Sequence, residues 1–459
     1  MQNLKKIRLK AKEERRFKQG HPWVFSNELQ DSPKALEIGE VVELHDAGGE
    51  FLAYGFANPH SLITFRELSR KKEDSTFFQG AVVSSDFFAS RLNLAQAFRK
   101  SWFGSDQSYR LVYGEADDLS GLVIDRFMGR SSSGVGQVVY VVQPHAAGMD
   151  LNLKSIVDAL RAHTKSSESN FERFVILRRD ASSREREGIA KEPIRVLDLA
   201  ESTEVLDVDF LKSFRFAVSG VMGSTLSLSA DLVSGQKTGF FFDQLQNIRL
   251  LETLLLRKLR HERSLKSSGA GAPFQVLDLC SYVGQWSAHL MQTLHERESL
   301  PAEFTCVDAS ESALKIASLN LNALAKEYGI ESKVKIKTQK ADVLEVMEGV
   351  QASSYDLVIA DPPAFIKSRK SIPQGKQAYS NLFQSAIEKT KKGGLVVCCS
   401  CSQLLSHEDF NEVLGKATRR SKRRVRWLAE GSPSFDHFTR LEFNEGQYLK
   451  CRIGQVEET

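Results

Sequence analysis

Long hydrophobic runs are missing from this chain. None approaches the roughly 20 apolar residues that a membrane-spanning helix needs. The amino terminus is charged throughout and lacks the apolar core of a secretory signal. No membrane partner is expected. Cysteine is also scarce: six in 459 residues do not make a disulfide framework, and a reducing cytoplasm is the expected setting. Cys398 and Cys401 have Cys-x-x-Cys spacing, but no second ligand pair stands at a suitable interval, so no metal is expected. No internal repeat is present. The net charge is only +4, yet it is unevenly spread. Lys5, Lys6, Arg8, Lys10, Lys12, Arg15, Arg16 and Lys18 crowd the start, and Arg419, Arg420, Lys422, Arg423, Arg424 and Arg426 lie near the other end. Such blocks neutralise phosphates, or else form a solvated helix face or a flexible end.

What is there is a soluble, globular composition, 41% hydrophobic and 26% charged, in a chain long enough for two or three domains. Residues 1–72 read as a β-rich unit, with strand-like runs at 40–44, 51–56 and 62–68 separated by turn residues. Residues 70–75 look like a linker. Residues 75–197 read as a small α+β domain, with a helix at 87–102 and strands at 122–127, 138–142 and 174–177. The stretch 131–136 reads as a hairpin tip. From about 205 to 459 strands and helices alternate, which implies a doubly wound α/β sheet. Strands are expected at 274–279, 303–308, 333–338, 355–361 and 394–400, with helices including 312–328 and 379–391. Residues 265–273, rich in Ser, Gly and Ala, read as a loop before the first of these strands.

The strand ends carry the chemistry, because reactive groups at the carboxyl ends of a parallel sheet face the ligand crevice. The first strand ends in Asp278 and continues Leu279-Cys280-Ser281-Tyr282-Val283-Gly284, the place of a phosphate-type loop, but with a single glycine. The second ends in Asp308, suited to ribose hydroxyls, and the third is followed by Asp342, which can accept from an adenine amino group. The fourth ends Asp361-Pro362-Pro363, and the fifth ends Cys398-Cys399-Ser400-Cys401-Ser402. If the last two are neighbours, a thiol stands beside an acid. Cys398, Cys399 and Cys401 compete for the role of nucleophile; Cys401 lies farthest toward the carboxyl end. The plainer fate of the other two is ordinary burial.

This constellation resembles the class I S-adenosylmethionine-dependent methyltransferases. More narrowly, Gly235 to Gln244, Ser400-Cys401-Ser402 and Glu445 to Lys450 look like signatures of the large-subunit ribosomal RNA methyltransferase I family. Gly20-His21-Pro22-Trp23-Val24-Phe25-Ser26 resembles the start of that family's RNA-binding PUA domain, and Tyr109 to Asp117 its central domain. The resemblance implies a Rossmann-like methyltransferase domain preceded by a PUA domain and a small α+β domain. It implies S-adenosylmethionine contacts at Asp278, Ser281, Tyr282, Gly284, Asp308, Ala309, Asp342, Val343, Asp361 and Gln244. It implies large-subunit ribosomal RNA as partner, with Cys401 adding to carbon 6 of a cytosine and Asp361 facing the same base. Pro362, Pro363, Lys237, Arg15, Arg16, Lys18 and Trp23 are candidate substrate contacts, although Trp23 also suits a core. The segment from Lys237 to Gln244 suits either a wall of the site or a β-hairpin with an aromatic stripe. Where the family usually has arginine after Asp-Gln, this chain has Leu245, and its next arginine is Arg249. Two other readings stand beside this one: methylation of a base nitrogen at Asp361-Pro362-Pro363 without an adduct, and a non-catalytic RNA-binding protein. Whether the chain is a monomer or a homodimer is left open by the sequence.

Overall fold

The computed structural model describes residues 4–131, 133–220, 223–265, 272–344 and 352–458. The chain divides into two compact units and passes between them repeatedly. The first comprises Met1–Ala217, Asp231–Gly239 and Phe435–Gly446; the second comprises Val218–Ala230, Phe240–Ser434 and Gln447–Thr459.

In the first unit a five-stranded sheet has the order Lys5–Arg8, Val41–His45, Phe51–Ala57, Ile63–Ser69, Trp23–Phe25. Its core is Ile7, Leu9, Phe17, Val24, Leu44 and Phe65. Lys5–Arg8 and Trp23–Phe25 are strands that the sequence does not announce. Both are short, and in Lys-Lys-Ile-Arg only Ile7 is buried. The segment expected to be a linker contains a 3-10 helix, Lys72–Phe77. The α+β part follows, with strands Tyr109–Tyr113, Leu122–Arg130, Gly136–Pro144, Glu172–Leu177 and Arg195–Asp198. Helices Ser85–Lys100 and Leu153–Ser167 pack on each other there. Leu122–Arg130 and Gly136–Pro144 pair antiparallel, as a hairpin at 131–136 requires.

In the second unit the strands are β1 (Phe274–Leu279), β2 (Ala302–Asp308), β3 (Val334–Lys340), β4 (Tyr355–Ala360), β5 (Thr390–Ser400), β6 (Arg423–Gly431) and β7 (Lys450–Glu458). The helices are α1 (Leu245–Leu265), α2 (Gln285–Glu298), α3 (Glu311–Glu327), α4 (Ile372–Lys389) and α5 (His407–Arg420). Sheet order is β3-β2-β1-β4-β5-β7-β6. β1 to β5 are parallel, while β7 runs antiparallel to β5 and β6 antiparallel to β7. β1, β4 and β5 are buried apolar runs, as expected for strands covered on both faces. The helices between them return the chain so that each strand end opens on one edge of the sheet.

The basic stretch 419–426 is neither one helix face nor a flexible end. Arg419 and Arg420 close α5, Lys422 makes a left-handed turn at φ 52°, and Arg423 begins β6. Arg424 and Arg426 point outward from this edge strand, where charge discourages pairing with another chain. The expected loop at 265–273 falls mostly outside the described residues.

Candidate active site

The turn after β1 alternates its backbone. Cys280, Tyr282 and Gly284 have φ of 61°, 48° and 77°. Two of the three are not glycine, so the left-handed conformation is imposed by the surroundings. Ser281 N donates to Val307 O at 3.0 Å, Tyr282 N to Asp308 Oδ2 at 2.9 Å, and Gly284 N to Ser281 O at 2.8 Å. The ring of Phe241 stands edge-on to Tyr282, 5.1 Å between centroids. Glycines were therefore not needed to fold this loop, which is why a glycine-rich fingerprint is absent.

The four strand-end aspartates converge. Burial pushes the Cys280 thiol well above its ordinary range, and the charges of Asp308, Asp361, Asp278 and Asp342 push it further. Asp278 is fully buried, and burial raises its carboxyl to about 7, opposed by a hydrogen bond from Ser287 Oγ at 2.7 Å and assisted by Asp361 and Asp308. Its Oδ1 is buried without a partner among the described residues, and the Ser281 hydroxyl is buried beside the Cys306 thiol. Asp308 accepts from Ser310 N through Oδ1 at 2.8 Å as well as from Tyr282 N, so it ties the end of β2 to the turn after β1. Asp342 Oδ1 accepts from Leu344 N at 2.9 Å, Val343 is buried, and Ala309 is exposed in the turn after β2.

Asp361 is held from two sides. Gln244 Nε2 lies 2.9 Å and 3.0 Å from its two oxygens, and Trp286 Nε1 donates at 3.1 Å. Gln244 in turn accepts from Asn247 Nδ2 at 2.7 Å. The segment 236–244 contains no strand; it ends in the 3-10 turn Phe242–Gln244, with Phe240 and Phe242 buried edge to face. The hairpin alternative is thus overturned. Arg249 donates to the Ser219 hydroxyl.

Register pairs Ala360 with Cys398, which puts Cys399 level with Asp361 and leaves Cys401 just beyond the end of β5. Cys398 and Cys399 are fully buried, and burial pushes both thiols well up. Cys401 is partly exposed, with Sγ 4.0 Å from Pro362 O. Pro362 is buried and Pro363 exposed. The residue after the thiol is pinned on every side. Ser402 Oγ lies 2.8 Å from Tyr379 OH and accepts from Ile366 N at 3.3 Å, while Lys450 Nζ donates to Ser402 O and Tyr448 O at 2.8 Å each. Burial lowers Lys450 to about 8, with Cys401 pulling the other way. Tyr448 OH donates to Asp243. Residues 448–450 therefore brace both the Gln244 turn and the Cys401 turn.

Sequence reasoning did not identify Trp286, Asn247, Tyr379 or the bracing by Lys450. The motif containing Lys450 was visible, but its partners are distant in sequence. The remaining candidates lie in the first unit. Lys237 is exposed at φ 51°, and its carbonyl accepts from Gln143 Nε2 at 3.0 Å. Arg15 is exposed, Lys18 pairs with Asp46 at 2.8 Å, and Arg16 is engaged with Glu28 at 2.9 Å and with Trp23 O at 3.0 Å. Trp23 is half-buried, its Nε1 donating to Glu115 at 2.8 Å. Among the described residues no cluster of three or more His, Cys, Asp or Glu could hold a metal ion, and no helix is long and apolar enough to cross a membrane.

Sheet order, strand-end carboxylates and the alternating turn after β1 define a Rossmann-like methyltransferase preceded by a PUA-like β domain. Residues 258–431 match the methyltransferase domain described as RMKL-like, and residues 7–70 match a PUA-like domain. The resemblance to the large-subunit ribosomal RNA methyltransferase I family holds over nearly the whole chain. A protein of Deinococcus radiodurans named ribosomal RNA large subunit methyltransferase is 29% identical, covering 98% of this chain and 97% of its own. Ribosomal RNA large subunit methyltransferase I of Serratia proteamaculans is 26% identical over 94% and 95%. Among solved structures, one described as a SAM-dependent methyltransferase from Streptococcus mutans superposes with a TM-score of 0.69 at 17% identity, covering 99% of this chain and 100% of its own. A methyltransferase complexed with SAH gives the same values.

Proposed function

We propose that this protein transfers a methyl group from S-adenosylmethionine to carbon 5 of a cytosine in large-subunit ribosomal RNA, through a covalent adduct on Cys401. One observation carries the reading: of three clustered cysteines only Cys401 is not fully buried, and its Sγ sits against the carbonyl of Pro362, the residue after Asp361. The names of the full-length relatives support the substrate. The six free thiols suit a reducing cytoplasm.

The residues fit the cofactor. Asp278 Oδ1 is a buried polar atom in want of a partner among the described residues, and it precedes a turn in which Cys280, Tyr282 and Gly284 are left-handed. Asp278 and Ser281, with Tyr282, Gly284 and Gln244, would hold the methionine end. Asp308 and Ala309 would take the ribose, and Asp342 and Val343 the adenine. S-adenosylmethionine supplies an electrophilic methyl group.

Carbon 5 of cytosine is a poor nucleophile until the ring loses aromaticity. The Cys401 thiolate forms a bond to carbon 6, and the ring electrons that this displaces make carbon 5 enamine-like. Asp361, oriented by Gln244 and Trp286, accepts a hydrogen bond from the amino group of the same base and, when it carries a proton, donates one to N3. After methylation the carbon-5 proton leaves to a base and the carbon–sulfur bond breaks, restoring the ring and the thiol. Asp361-Pro362-Pro363 alone also suits methylation of a base nitrogen, which requires no thiol.

Methyl transfer to large-subunit ribosomal RNA by wild type and Cys401→Ala, with bisulfite mapping of the product, tests the proposal. One protected cytosine with wild type and none with the variant is the expected result. Full transfer by Cys401→Ala overturns the covalent mechanism.

A further inference from the structure

The first unit contains a cavity of about 230 Å³ to which none of the cofactor or catalytic residues contributes. Its walls are aromatic: Trp23, Tyr113, Phe438 and Phe443. Trp23 and Phe443 meet edge to face at 4.7 Å, and the Arg66 guanidinium caps the indole at 5.0 Å. The Trp23 ring cannot turn away, because Nε1 is fastened to Glu115.

The polar groups narrow what this cavity accepts. Arg66 is neutralised by Glu115 at 3.4 Å and Glu187 at 3.0 Å, and Arg440 at the rim pairs with Asp118 at 2.8 Å. Paired cations do not make an anion site. His145 also lines the cavity; its Nδ1 bonds Ser183 Oγ at 2.9 Å, and among the described residues its Nε2 has neither a partner nor a seal from solvent. Burial, with Arg110 and Arg66 nearby, lowers this imidazole to about 4, so it is neutral at pH 7 and offers its Nε2 as a hydrogen-bonding group without charge. The fitting occupant is a flat, uncharged ring with a polar edge.

On an RNA, that ring is a base drawn out of its stack. The same unit presents exposed Lys12 and Arg15 before and on the short helix Glu14–Lys18, which leads within a few residues into Trp23. These charges suit the phosphates that flank such a base. We infer that the cavity lined by Trp23, Phe443 and His145 takes one unpaired nucleobase of the RNA substrate, other than the base that is methylated. This rests on the RNA substrate proposed above and adds a second point of recognition to it.

The test uses the full chain and a ribosomal RNA fragment centred on the cytosine mapped by bisulfite. Each nucleotide in turn is made abasic, and binding is followed by fluorescence anisotropy. Wild type should lose about tenfold or more in affinity at one position besides the target. Thr439→Trp, which fills the cavity, and His145→Ala, which removes the polar contact, should bind intact RNA weaker by a similar factor. Both should be indifferent to that abasic site, with unchanged melting. Wild-type affinity in both variants, or a penalty confined to the methylated cytosine, overturns the inference while leaving methyl transfer intact. Failure of wild type to bind or methylate the fragment removes the proposed function itself, and the cavity's role with it.

Discussion

The side-chain amide of Gln244 addresses both carboxylate oxygens of Asp361, at 2.9 and 3.0 Å, and so fixes the plane of the acid that ends β4. A donor placed between two oxygens orients a carboxylate without protonating it. Replacing it by a carboxylate sets two like charges at hydrogen-bond distance. Gln244→Glu should lower single-turnover methyl transfer by about 100-fold, with Gln244→Ala milder, and the split is read from kcat against KM for RNA.

The proposed adduct has a chemical signature. Fluorine at carbon 5 cannot leave as a proton does, so the carbon–sulfur bond formed by Cys401 persists. RNA carrying 5-fluorocytidine should remain attached to wild type through denaturing electrophoresis, and Cys401→Ser or Cys401→Ala should show no attachment. Cys399→Ala, at a fully buried site, should still be trapped and should instead lower thermal stability by about 1–2 kcal/mol.

Asp278 links stability to pH. Its folded pKa of about 7 lies above the ordinary 3.8, so the fold binds a proton more tightly than the unfolded chain. The resulting stabilisation is complete below about pH 4 and is lost as pH rises through 7. Asp278→Asn cannot titrate. Denaturant midpoints measured from pH 4 to 8 should therefore fall less steeply for the variant, by about 2–4 kcal/mol across that window.

Gly284 sits at φ 77°, and a Cβ there would lie 3.2 Å from the Ala317 Cβ. Gly284→Ala combines left-handed strain of about 1–2 kcal/mol with that close approach to α3. A lowered melting temperature and weaker calorimetric binding of S-adenosylmethionine are expected together, since the same turn would hold the cofactor.

The strands β1, β2, β4 and β5 were legible because a covered parallel strand has to be apolar on both faces, as in Val358-Ile359-Ala360 and Val396-Val397-Cys398. The aspartates that close β1, β2 and β4 stood out for the same reason: a carboxylate that ends an apolar run has few structural uses. The edge strand β6 was not legible. β6 reads Arg-Arg-Val-Arg-Trp, and charge at a solvent-facing edge looks in sequence like charge on a helix. Nor was the frame around the site. Trp286 reaches Asp361 across 75 residues and Lys450 reaches Ser402 across 48, and no local pattern encodes such pairings. The turn after β1 misleads in its own way. Cys280 and Tyr282 take a conformation usually given to glycine because distant hydrogen bonds hold them in it.

The chain leaves and re-enters the first unit twice after Ala217, the last time with Phe435–Gly446. Asp436 in that return accepts from the backbone N of Arg110 at 2.8 Å, and its carbonyl accepts from the buried guanidinium of Arg99 at 3.1 Å. A nascent chain emerges amino end first, so Arg99 and Arg110 wait for their partner until more than three hundred further residues have been made. Translation of the first unit therefore starts before that of the second, but the first unit cannot be completed until Phe435–Gly446 exists. A polypeptide truncated anywhere before Phe435 should present chaperones and proteases with an unfinished first unit.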